Sequence, residues 1–249
     1  MSLWERYRQR FAVVKGWFPE SSAAVWDCLL TFQRESGIRG DLMEVGVWKG
    51  KSAGMLALHC GAEERCLLVD PRPMGAARDV IAREVPGVAC KYVEEPSEAL
   101  WRKPFFYRLA RSFRWVHLDG EHSLEGVIED LRIADHLLSA RGLVSLDDFF
   151  SPAYPQVTEA VYRYLSATPG RFSLMLCGFK KGYLCRPRAA GEYLEFCRHG
   201  LNAEMARRGF SKLTIWNTEP TGGHAIGITE RFENFEYRGP DSDYLNAIA

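Results

Sequence analysis

The sequence predicts an α/β fold: a doubly wound, Rossmann-like, mostly parallel sheet that ends in an antiparallel strand pair. Two observations support this prediction. Short apolar runs of strand length alternate with helical patterns between residues 41 and 147, and two later runs are separated by a short turn signal. Alternating strands and helices are typical of a parallel sheet with helices on both faces, because each crossover returns the chain across the sheet.

Composition and charge are those of an ordinary globular chain. The 249 residues include 32 Lys+Arg and 32 Asp+Glu, so the formal net charge is zero, and 47% of the residues are hydrophobic. A neutral chain gives no electrostatic reason to expect nucleic acid or a membrane surface as a partner. No apolar run approaches the roughly 18 residues that a membrane-spanning helix needs.

Cysteine usage favours a reducing compartment. The chain has seven cysteines, an odd number, and no C-x-x-C pair. A disulfide framework or a thiolate zinc site is therefore not expected. The first residues, MSLWERYRQRF, carry charges with no apolar signal-peptide core after them, so we expect a cytoplasmic protein.

The first segment, residues 1–37, reads as helical. Pro19-Glu20-Ser21-Ser22 can begin a helix that ends at Gly37. From residue 38 the strand–helix alternation begins. The candidate strands are DLMEV (41–45), CLLVD (66–70), VACKYV (88–93), RWVHLD (114–119) and LVSLD (143–147). The candidate helices lie near 52–60, 74–84, 97–102 and 123–139, and Ser123 and Gly142 are expected to bound the last one.

After residue 150 the pattern changes. Residues 156–167 read as a helix, and the runs 172–177 and 182–185 flank a hairpin signal, Gly178-Phe179-Lys180-Lys181. The tail, 188–249, contains one predicted helix at about 190–208 and two strand-like runs, KLTIW and HAIGIT. We expect three parts: an N-terminal helical segment (1–37), a core (38–187), and a C-terminal extension (188–249) that packs on the core without joining its sheet.

A glycine-containing loop follows the first predicted strand. Glu44, Gly46, Gly50 and Ser52 have the spacing E-x-G-x-x-x-G-x-S. This is neither G-x-G-x-x-G nor the phosphate loop G-x-x-x-x-G-K-[ST], which would need glycine where Val45 stands. A dinucleotide or a nucleoside triphosphate is therefore disfavoured. Ligands of doubly wound sheets bind at the carboxyl ends of the strands, and glycine lets the backbone approach them closely.

A second acid, Asp70, closes the next predicted strand. Glu44, the glycine loop and Asp70 together resemble the class I S-adenosylmethionine-dependent methyltransferases. That resemblance implies that Glu44, Gly46, Gly50 and Ser52 hold the methionine end of the cofactor and that Asp70 accepts hydrogen bonds from its ribose hydroxyls. A carboxylate suits a diol because it only accepts hydrogen bonds. Ser97 stands where this family contacts adenine, or it caps the following helix.

Three more acids follow the fourth and fifth predicted strands: Asp119, Asp147 and Asp148. The ends of adjacent parallel strands meet at one edge, so these carboxylates should lie close together and repel. A bound cation would relieve the repulsion, and oxygen ligands suit a hard ion, with Mg²⁺ the first candidate. The alternative is that Asp119 caps a helix and the other two acids face solvent.

The acid pattern sharpens the resemblance. DGEHSLEGVIEDL followed by GLVSLDDF resembles the metal-dependent bacterial O-methyltransferases of the macrocin-type and cephalosporin-hydroxylase-like families, and the spacing of 28 residues between Asp119 and Asp147 is similar to that in catechol-type enzymes. The chain departs from the usual pattern at Leu124, where tyrosine is usual, and at Arg141, where glycine is usual. The resemblance covers residues 40–186 and implies that Asp119, Asp147 and Asp148 hold the divalent ion.

His122 is the candidate general base. It follows Asp119 by three residues, and an imidazole can take the proton of a hydroxyl that attacks a methyl donor. The alternative role is to orient Asp119 or to cap the next helix. His117 lies within a strand and is interpreted as structural. Nearby aromatic residues could form the wall of an acceptor pocket or could simply pack; they are Trp48, Phe149, Phe150 and Tyr154.

The resulting hypothesis is an S-adenosylmethionine-dependent, divalent-metal-assisted O-methyltransferase acting on a small-molecule hydroxyl of a sugar, polyol or catechol-like compound, as in natural-product biosynthesis. His122 and Asp119 would carry the catalysis. Two alternatives stay open: a metal-dependent hydrolase or lyase, and a non-catalytic cofactor-binding protein, because fold alone does not select among them. We expect one or both terminal segments to cover the acceptor site or to make a dimer contact, which leaves a homo-oligomer open.

Overall fold

A nine-stranded sheet runs through the structure, a computed structural model that describes residues 1–218 and 224–230. The helices are α1 (Leu3–Arg10), α2 (Glu20–Glu35), α3 (Lys51–His59), α4 (Gly75–Glu84), α5 (Pro104–Tyr107), α6 (Leu124–Leu137), α7 (Pro155–Ala167), α8 (Pro187–His199) and α9 (Leu201–Arg207), with a 3₁₀ helix at Ser97–Arg102. The strands are β1 (Asp41–Val45), β2 (Arg65–Val69), β3 (Ala89–Val93), β4 (Phe113–Leu118), β5 (Leu138–Leu146), β6 (Ser173–Gly178), β7 (Lys181–Cys185), β8 (Leu213–Asn217) and β9 (Ile226–Glu230).

The strand order is β3-β2-β1-β4-β5-β7-β6-β9-β8. Strands β1 to β5 are mutually parallel, and β7 pairs antiparallel with both β5 and β6. The predicted doubly wound, mostly parallel sheet with a terminal antiparallel pair is therefore confirmed. From β1 the chain winds outward to β3 and then returns to place β4 on the other side of β1. The carboxyl ends of β1 and β4 thus form the switch point, where ligands of such sheets bind.

Apolar side chains cover both faces of the sheet. On one face α1 to α4, α8 and α9 pack around a cluster that contains Trp26 and Trp115, whose ring centroids are 5.1 Å apart. On the other face α5, α6 and α7 pack over Val116, Val144 and their neighbours. Helix α2 lies directly on the sheet. The Trp26 indole N–H on this helix donates to Oγ of Ser145 on β5 (3.1 Å). Among the described residues, no helix has the length and apolarity required to cross a membrane.

The end of the helix predicted at 123–139 differs from the expectation. Ser123 does cap α6, since its hydroxyl accepts from the Gly126 N–H (3.1 Å). The helix ends at Leu137, however, and Gly142 lies inside β5 instead of following the helix. Leu138 is already extended and buried opposite Phe113 of β4, so the chain enters the sheet directly.

The hairpin and the tail also differ in detail. The turn consists of Phe179 and Lys180, both with positive φ (52° and 58°), as the twist of a two-residue hairpin requires, and Lys181 already belongs to β7. The helix predicted at 190–208 is broken at Gly200 into α8 and α9. The expectation that the tail stays out of the sheet is wrong: β9 pairs parallel with the otherwise open edge of β6, and β8 pairs with β9.

Candidate active site

Four strand ends meet at one edge of the sheet. Backbone hydrogen bonds continue past the last strand residues: Gly46 N–H donates to Val69, and Asp119 N–H donates to Val45 (both 2.9 Å). In the same way, Asp147 N–H donates to the carbonyl of Leu118 (2.9 Å). The sequence-predicted acids that follow β2, β4 and β5 are therefore held side by side, next to the glycine loop.

The glycine loop requires both of its glycines. Gly46 has φ of +86°, and a Cβ atom there would lie 1.7 Å from the carbonyl oxygen of Asp119. Gly50 has φ of +85° at the start of α3, and its Cβ would lie 2.9 Å from Cβ of Ala77. Glycine tolerates such φ values and such contacts because it has no side chain. The loop thus lies directly against the backbone that carries Asp119.

Glu44 is fully buried beside this loop. Its Oε1 lies 2.7 Å from Nδ1 of His117, the residue directly opposite it on β4. Burial raises the pKa of Glu44 well above its ordinary value, and the neighbouring Ser52 hydroxyl only partly opposes this. Oε2 of Glu44 has no hydrogen-bond partner among the described residues. A buried acceptor without a donor is typical of a site that a ligand completes.

Asp70 lies at the end of β2 with a fully buried side chain. Oδ2 accepts from the Trp48 N–H (2.7 Å), and Oδ1 accepts from the Arg72 N–H (2.9 Å). The Arg72 guanidinium adds one hydrogen bond to each oxygen, at 3.0 and 3.1 Å. Burial raises the pKa of Asp70, but the Arg72 side chain and the backbone donors outweigh it and hold the pKa below its ordinary value. Asp70 is therefore a charged acceptor next to the loop.

Ser97 is the first residue of the 3₁₀ helix, and no side chain caps that helix. Its hydroxyl instead donates to Oδ1 of Asp130 on α6 (2.5 Å). Burial raises the pKa of Asp130 to about 7. One cleft is lined by Asp130, His122 and Asp147 together with Gly120, which connects Ser97 through Asp130 to the other acids.

The acid cluster contains a histidine and a lysine as well. Ligand atoms of His117, Asp119 and Asp147 lie within 4.8 Å of one another. The Lys181 ammonium, almost fully buried, lies 2.6 Å from Oδ1 of Asp147 and 3.3 Å from Nε2 of His117. Asp148 is not part of this group, and its carboxylate faces His122.

The pKa shifts of the titratable groups in this cluster differ in direction. Burial, with help from Asp147, raises the pKa of Asp119 to about 7. Burial also raises the pKa of Asp147, but the Lys181 ammonium and His117 hold it well below its ordinary value. Burial and then Lys181 push the pKa of His117 well below its ordinary value, so this imidazole is neutral. The cluster therefore combines one ionised carboxylate, one that titrates near neutrality and one buried cation.

His122 lies between two carboxylates. Its Nε2 is 3.4 Å from Oδ1 of Asp119 and 3.2 Å from Oδ2 of Asp148. The contact with Asp119 raises the pKa of His122, although partial burial opposes it. Its ring packs against that of Tyr154 in a tilted arrangement, with centroids 4.4 Å apart and an interplanar angle of 31°. Ser123 caps α6, so His122 does not have that role. The contact with Asp119 that the other alternative requires is present.

The aromatic residues near the site fall into two groups. Phe149 is buried in the core, whereas Phe150 and Tyr154 are exposed. Trp48 stacks on Trp17, with centroids 4.7 Å apart and an interplanar angle of 14°. The N-terminal segment therefore contacts the glycine loop, and Trp48 is placed beside Asp70 by its own backbone N–H.

Four residues of the site were missed by sequence reasoning: His117, Lys181, Arg72 and Asp130. Asp130 had a detectable signal, an acid on the apolar face of the predicted helix, between Val127 and Leu131. From the sequence, His117 is predicted to be structural and Lys181 to lie in a turn, because neither has a sequence neighbour that reveals its partner.

Comparison with known proteins gives a match to a family model described as a methyltransferase domain, over residues 43–149. This range includes the glycine loop, Asp70, the acid cluster and His122. No curated protein matches the sequence.

Solved structures with similar folds include three methyltransferases. The O-methyltransferase NovP is 15% identical, with 67% of this chain and 80% of NovP covered and a TM-score of 0.51. CalS11, a TDP-rhamnose 3′-O-methyltransferase of calicheamicin biosynthesis, is 16% identical, with 74% and 92% covered and a TM-score of 0.50. SAH-bound PaMTH1 from Podospora anserina is 19% identical, with 74% and 86% covered and a TM-score of 0.52. At these identities the likeness establishes a shared fold.

Proposed function

We propose that this chain, whose residues 43–149 match a methyltransferase-domain model, is an S-adenosylmethionine-dependent methyltransferase that transfers the methyl group to a hydroxyl oxygen of a small molecule. The observation that carries the proposal is the position of His122. Its Nε2 lies between the carboxylates of Asp119 and Asp148, 3.4 and 3.2 Å away. Asp119 in turn lies against the glycine loop, which supports a proton acceptor next to the proposed methyl-donor site.

The cofactor residues in this proposal are those predicted from the sequence. Glu44 offers the unpartnered Oε2 to the amino group of the methionine end. Gly46 and Gly50 keep the loop clear of side chains, and Ser52 lies beside Glu44 at the start of α3. Asp70 accepts from the ribose hydroxyls. Ser97, oriented by Asp130, contacts the adenine.

His122 would take the proton from the acceptor hydroxyl. A hydroxyl oxygen attacks the sulfonium methyl effectively only as it loses its proton, and a positioned base typically contributes about 10²–10⁴-fold to such a step. Asp119 and Asp148 orient the imidazole and favour the imidazolium that forms. The remaining acceleration comes from holding the oxygen and the methyl group in line.

Asp119, Asp147 and Asp148 would hold a divalent ion, with Mg²⁺ the first candidate. Carboxylate oxygens suit such an ion, and the raised pKa of Asp119 indicates charge that a cation would stabilise. Asp119 and Asp147 already lie together, whereas the carboxylate of Asp148 would have to turn from His122 to join them. Lys181 already contacts Oδ1 of Asp147, which leaves Oδ2 for a metal. When bound, the ion would lower the pKa of the acceptor hydroxyl.

The acceptor class in this proposal is a sugar, polyol or catechol-like compound, and natural-product biosynthesis is the expected setting. The names of NovP and CalS11 are consistent with it, since both are O-methyltransferases and CalS11 acts on a TDP-linked sugar. The free thiols of all seven cysteines are consistent with a reducing, cytoplasmic compartment.

The test is a methyl-transfer assay with labelled S-adenosylmethionine, the purified chain and a panel of sugars, polyols and catechols, run with Mg²⁺ and with EDTA. Labelled product with an O-methyl group supports the proposal, and loss of product in EDTA supports the metal. Cofactor binding with no product from any acceptor would favour a non-catalytic binding protein. Acceptor cleavage without the cofactor would favour a metal-dependent hydrolase or lyase.

A further inference from the structure

The carboxylate of Asp70 is fully engaged within the chain. A carboxylate has about four acceptor positions, and four N–H groups fill those of Asp70: the Trp48 N–H, the Arg72 N–H and two from the Arg72 guanidinium. A ribose diol must donate two hydrogen bonds to the same oxygens. The two backbone donors are fixed by the loop, so the two guanidinium bonds are the ones that a ligand can replace.

Only the side chain of Arg72 has to move to free the Asp70 oxygens for a ligand. It lies between Pro71 and Pro73, whose rings restrict the backbone on both sides. Its own N–H also stays bonded to Asp70. The side chain is 61% exposed, and among the described residues Asp70 is its only hydrogen-bond partner. Among the hydrogen bonds of the described residues, rotation into solvent therefore breaks only the two from the guanidinium to Asp70.

We infer that Arg72 is a cofactor-affinity determinant: its guanidinium occupies the position of the ribose diol on Asp70 and swings out when the cofactor binds. This inference rests on the proposed function, because it takes Asp70 as the ribose acceptor. Each binding event replaces two guanidinium hydrogen bonds with two ribose hydrogen bonds. The chain thus holds the buried carboxylate paired without ligand, and part of the binding energy is used to displace Arg72.

The experiment measures calorimetric Kd values of S-adenosylhomocysteine for the wild type, Arg72→Ala and Arg72→Lys. We expect Arg72→Ala to bind about fivefold more tightly, about 1 kcal/mol, and Arg72→Lys to lie between, because an ammonium lacks the two-pronged contact. The matched control is Arg65→Ala. Arg65 lies at the other end of β2, is 63% exposed and pairs with Asp41, away from the cleft.

A second pair of ligands tests whether the effect of Arg72→Ala depends on the ribose diol. Adenosine and 2′,3′-dideoxyadenosine are compared by competition against S-adenosylhomocysteine. The gain from Arg72→Ala should appear for adenosine and vanish for the dideoxy compound, which has no hydroxyl groups to place on Asp70. A general change in charge or packing would affect both compounds alike.

The outcomes separate the inference from the proposed function. If the wild type binds S-adenosylhomocysteine and Arg72→Ala binds it equally or more weakly, Arg72 does not compete with the ribose and the inference is overturned, while the methyltransferase proposal stands. An equal gain for both nucleosides also overturns it. If the wild type and every variant fail to bind S-adenosylhomocysteine, the proposed function itself fails.

Discussion

The ammonium of Lys181 lies 2.6 Å from Oδ1 of Asp147 and is almost completely buried. The same ammonium lies 3.3 Å from Nε2 of His117, and Nδ1 of that ring lies 2.7 Å from Oε1 of Glu44. A continuous chain of contacts thus connects Glu44, the acid beside the glycine loop, with Asp147 in the acid cluster. The proposed cofactor and acceptor sites share one buried polar network.

Replacing Lys181 tests how much its ammonium contributes to the stability of the acid cluster. Lys181→Met leaves Asp147 buried without its cation, and breaking a buried pair in this way typically costs about 3–5 kcal/mol. We expect the free energy of unfolding, measured by urea denaturation, to fall by about 3 kcal/mol. Lys180→Met, at the exposed neighbouring position, should change it by less than about 0.5 kcal/mol.

The same variant tests the metal. A ligand that binds the folded state stabilises it in proportion to the logarithm of its concentration. If a divalent ion binds the acid cluster, added Mg²⁺ or Mn²⁺ should restore more stability to Lys181→Met than it adds to the wild type, because Asp147 is then free to bind it. Equal responses of the two proteins would argue against an ion on Asp147.

Gly46 and Gly37 provide a matched pair of glycine substitutions. Both have positive φ, +86° and +69°, but a Cβ at Gly46 meets the Asp119 carbonyl at 1.7 Å, whereas nothing lies within 4 Å of a Cβ at Gly37. Gly37→Ala should cost only the backbone strain, about 1 kcal/mol. Gly46→Ala should cost at least about 2 kcal/mol more, since backbone must move. Urea denaturation measures the free energy of unfolding of the two variants. Equal decreases would show that the backbone around Gly46 can shift at little cost.

Asp70→Asn should weaken cofactor binding without unfolding the loop. The amide keeps the shape of the side chain and one oxygen acceptor for the Trp48 N–H, but it cannot accept both ribose hydroxyls. We expect the calorimetric Kd of S-adenosylmethionine to rise at least tenfold, about 1.4 kcal/mol. Asp79→Asn, an exposed acid of α4, is the control for the change in charge. An unchanged Kd for Asp70→Asn would remove Asp70 from the cofactor site.

His122→Gln should lower turnover and leave cofactor affinity intact. A missing general base typically reduces kcat by about 10²–10⁴-fold, whereas His122 lies on the acceptor side of the proposed site. The comparison requires an acceptor identified in the methyl-transfer assay, with kcat and the Kd of S-adenosylmethionine measured in parallel. His199→Gln, at an exposed site on α8, should match the wild type. Turnover of His122→Gln within threefold of the wild type would assign His122 to orienting Asp119 alone.

Acid should destabilise the fold through His59. This imidazole is fully buried 2.7 Å from Asp27, and burial lowers its pKa below the ordinary 6.5. Below pH 6.5 the unfolded chain therefore binds a proton that the folded chain does not, so stability is present above that pH and is lost as the pH falls. The slope is up to about 1.4 kcal/mol per pH unit for one proton.

The measurement is the free energy of unfolding between pH 7 and pH 5. His59→Gln should flatten its pH dependence by up to one proton, whereas the control His199→Gln should leave the slope unchanged. A slope that is identical in the wild type and His59→Gln would show that Asp27 and Arg208, which is 2.7 Å from Asp27, let His59 titrate normally.

Much of the fold and the outline of the site followed from contiguous stretches of sequence. The strand–helix alternation, the glycine loop after β1, and the acids at the ends of β2, β4 and β5 are local patterns. Topology then places all strand ends of a parallel sheet at one edge, which is why Asp70, Asp119 and Asp147 could be expected together. The fold class and the resemblance to class I methyltransferases were confirmed on these patterns.

Other features were decided only by tertiary structure. Lys181 reaches Asp147 because β7 pairs antiparallel with β5, with Gly182 opposite Leu146. His117 reaches Glu44 because the two are directly opposite each other on β4 and β1. Such registers bring together residues 34 and 73 positions apart in the sequence, through interstrand hydrogen bonds and packing that no local pattern encodes. The tail strands joined the sheet for the same reason: β9 pairs with an edge of β6 that exists only once the sheet has formed.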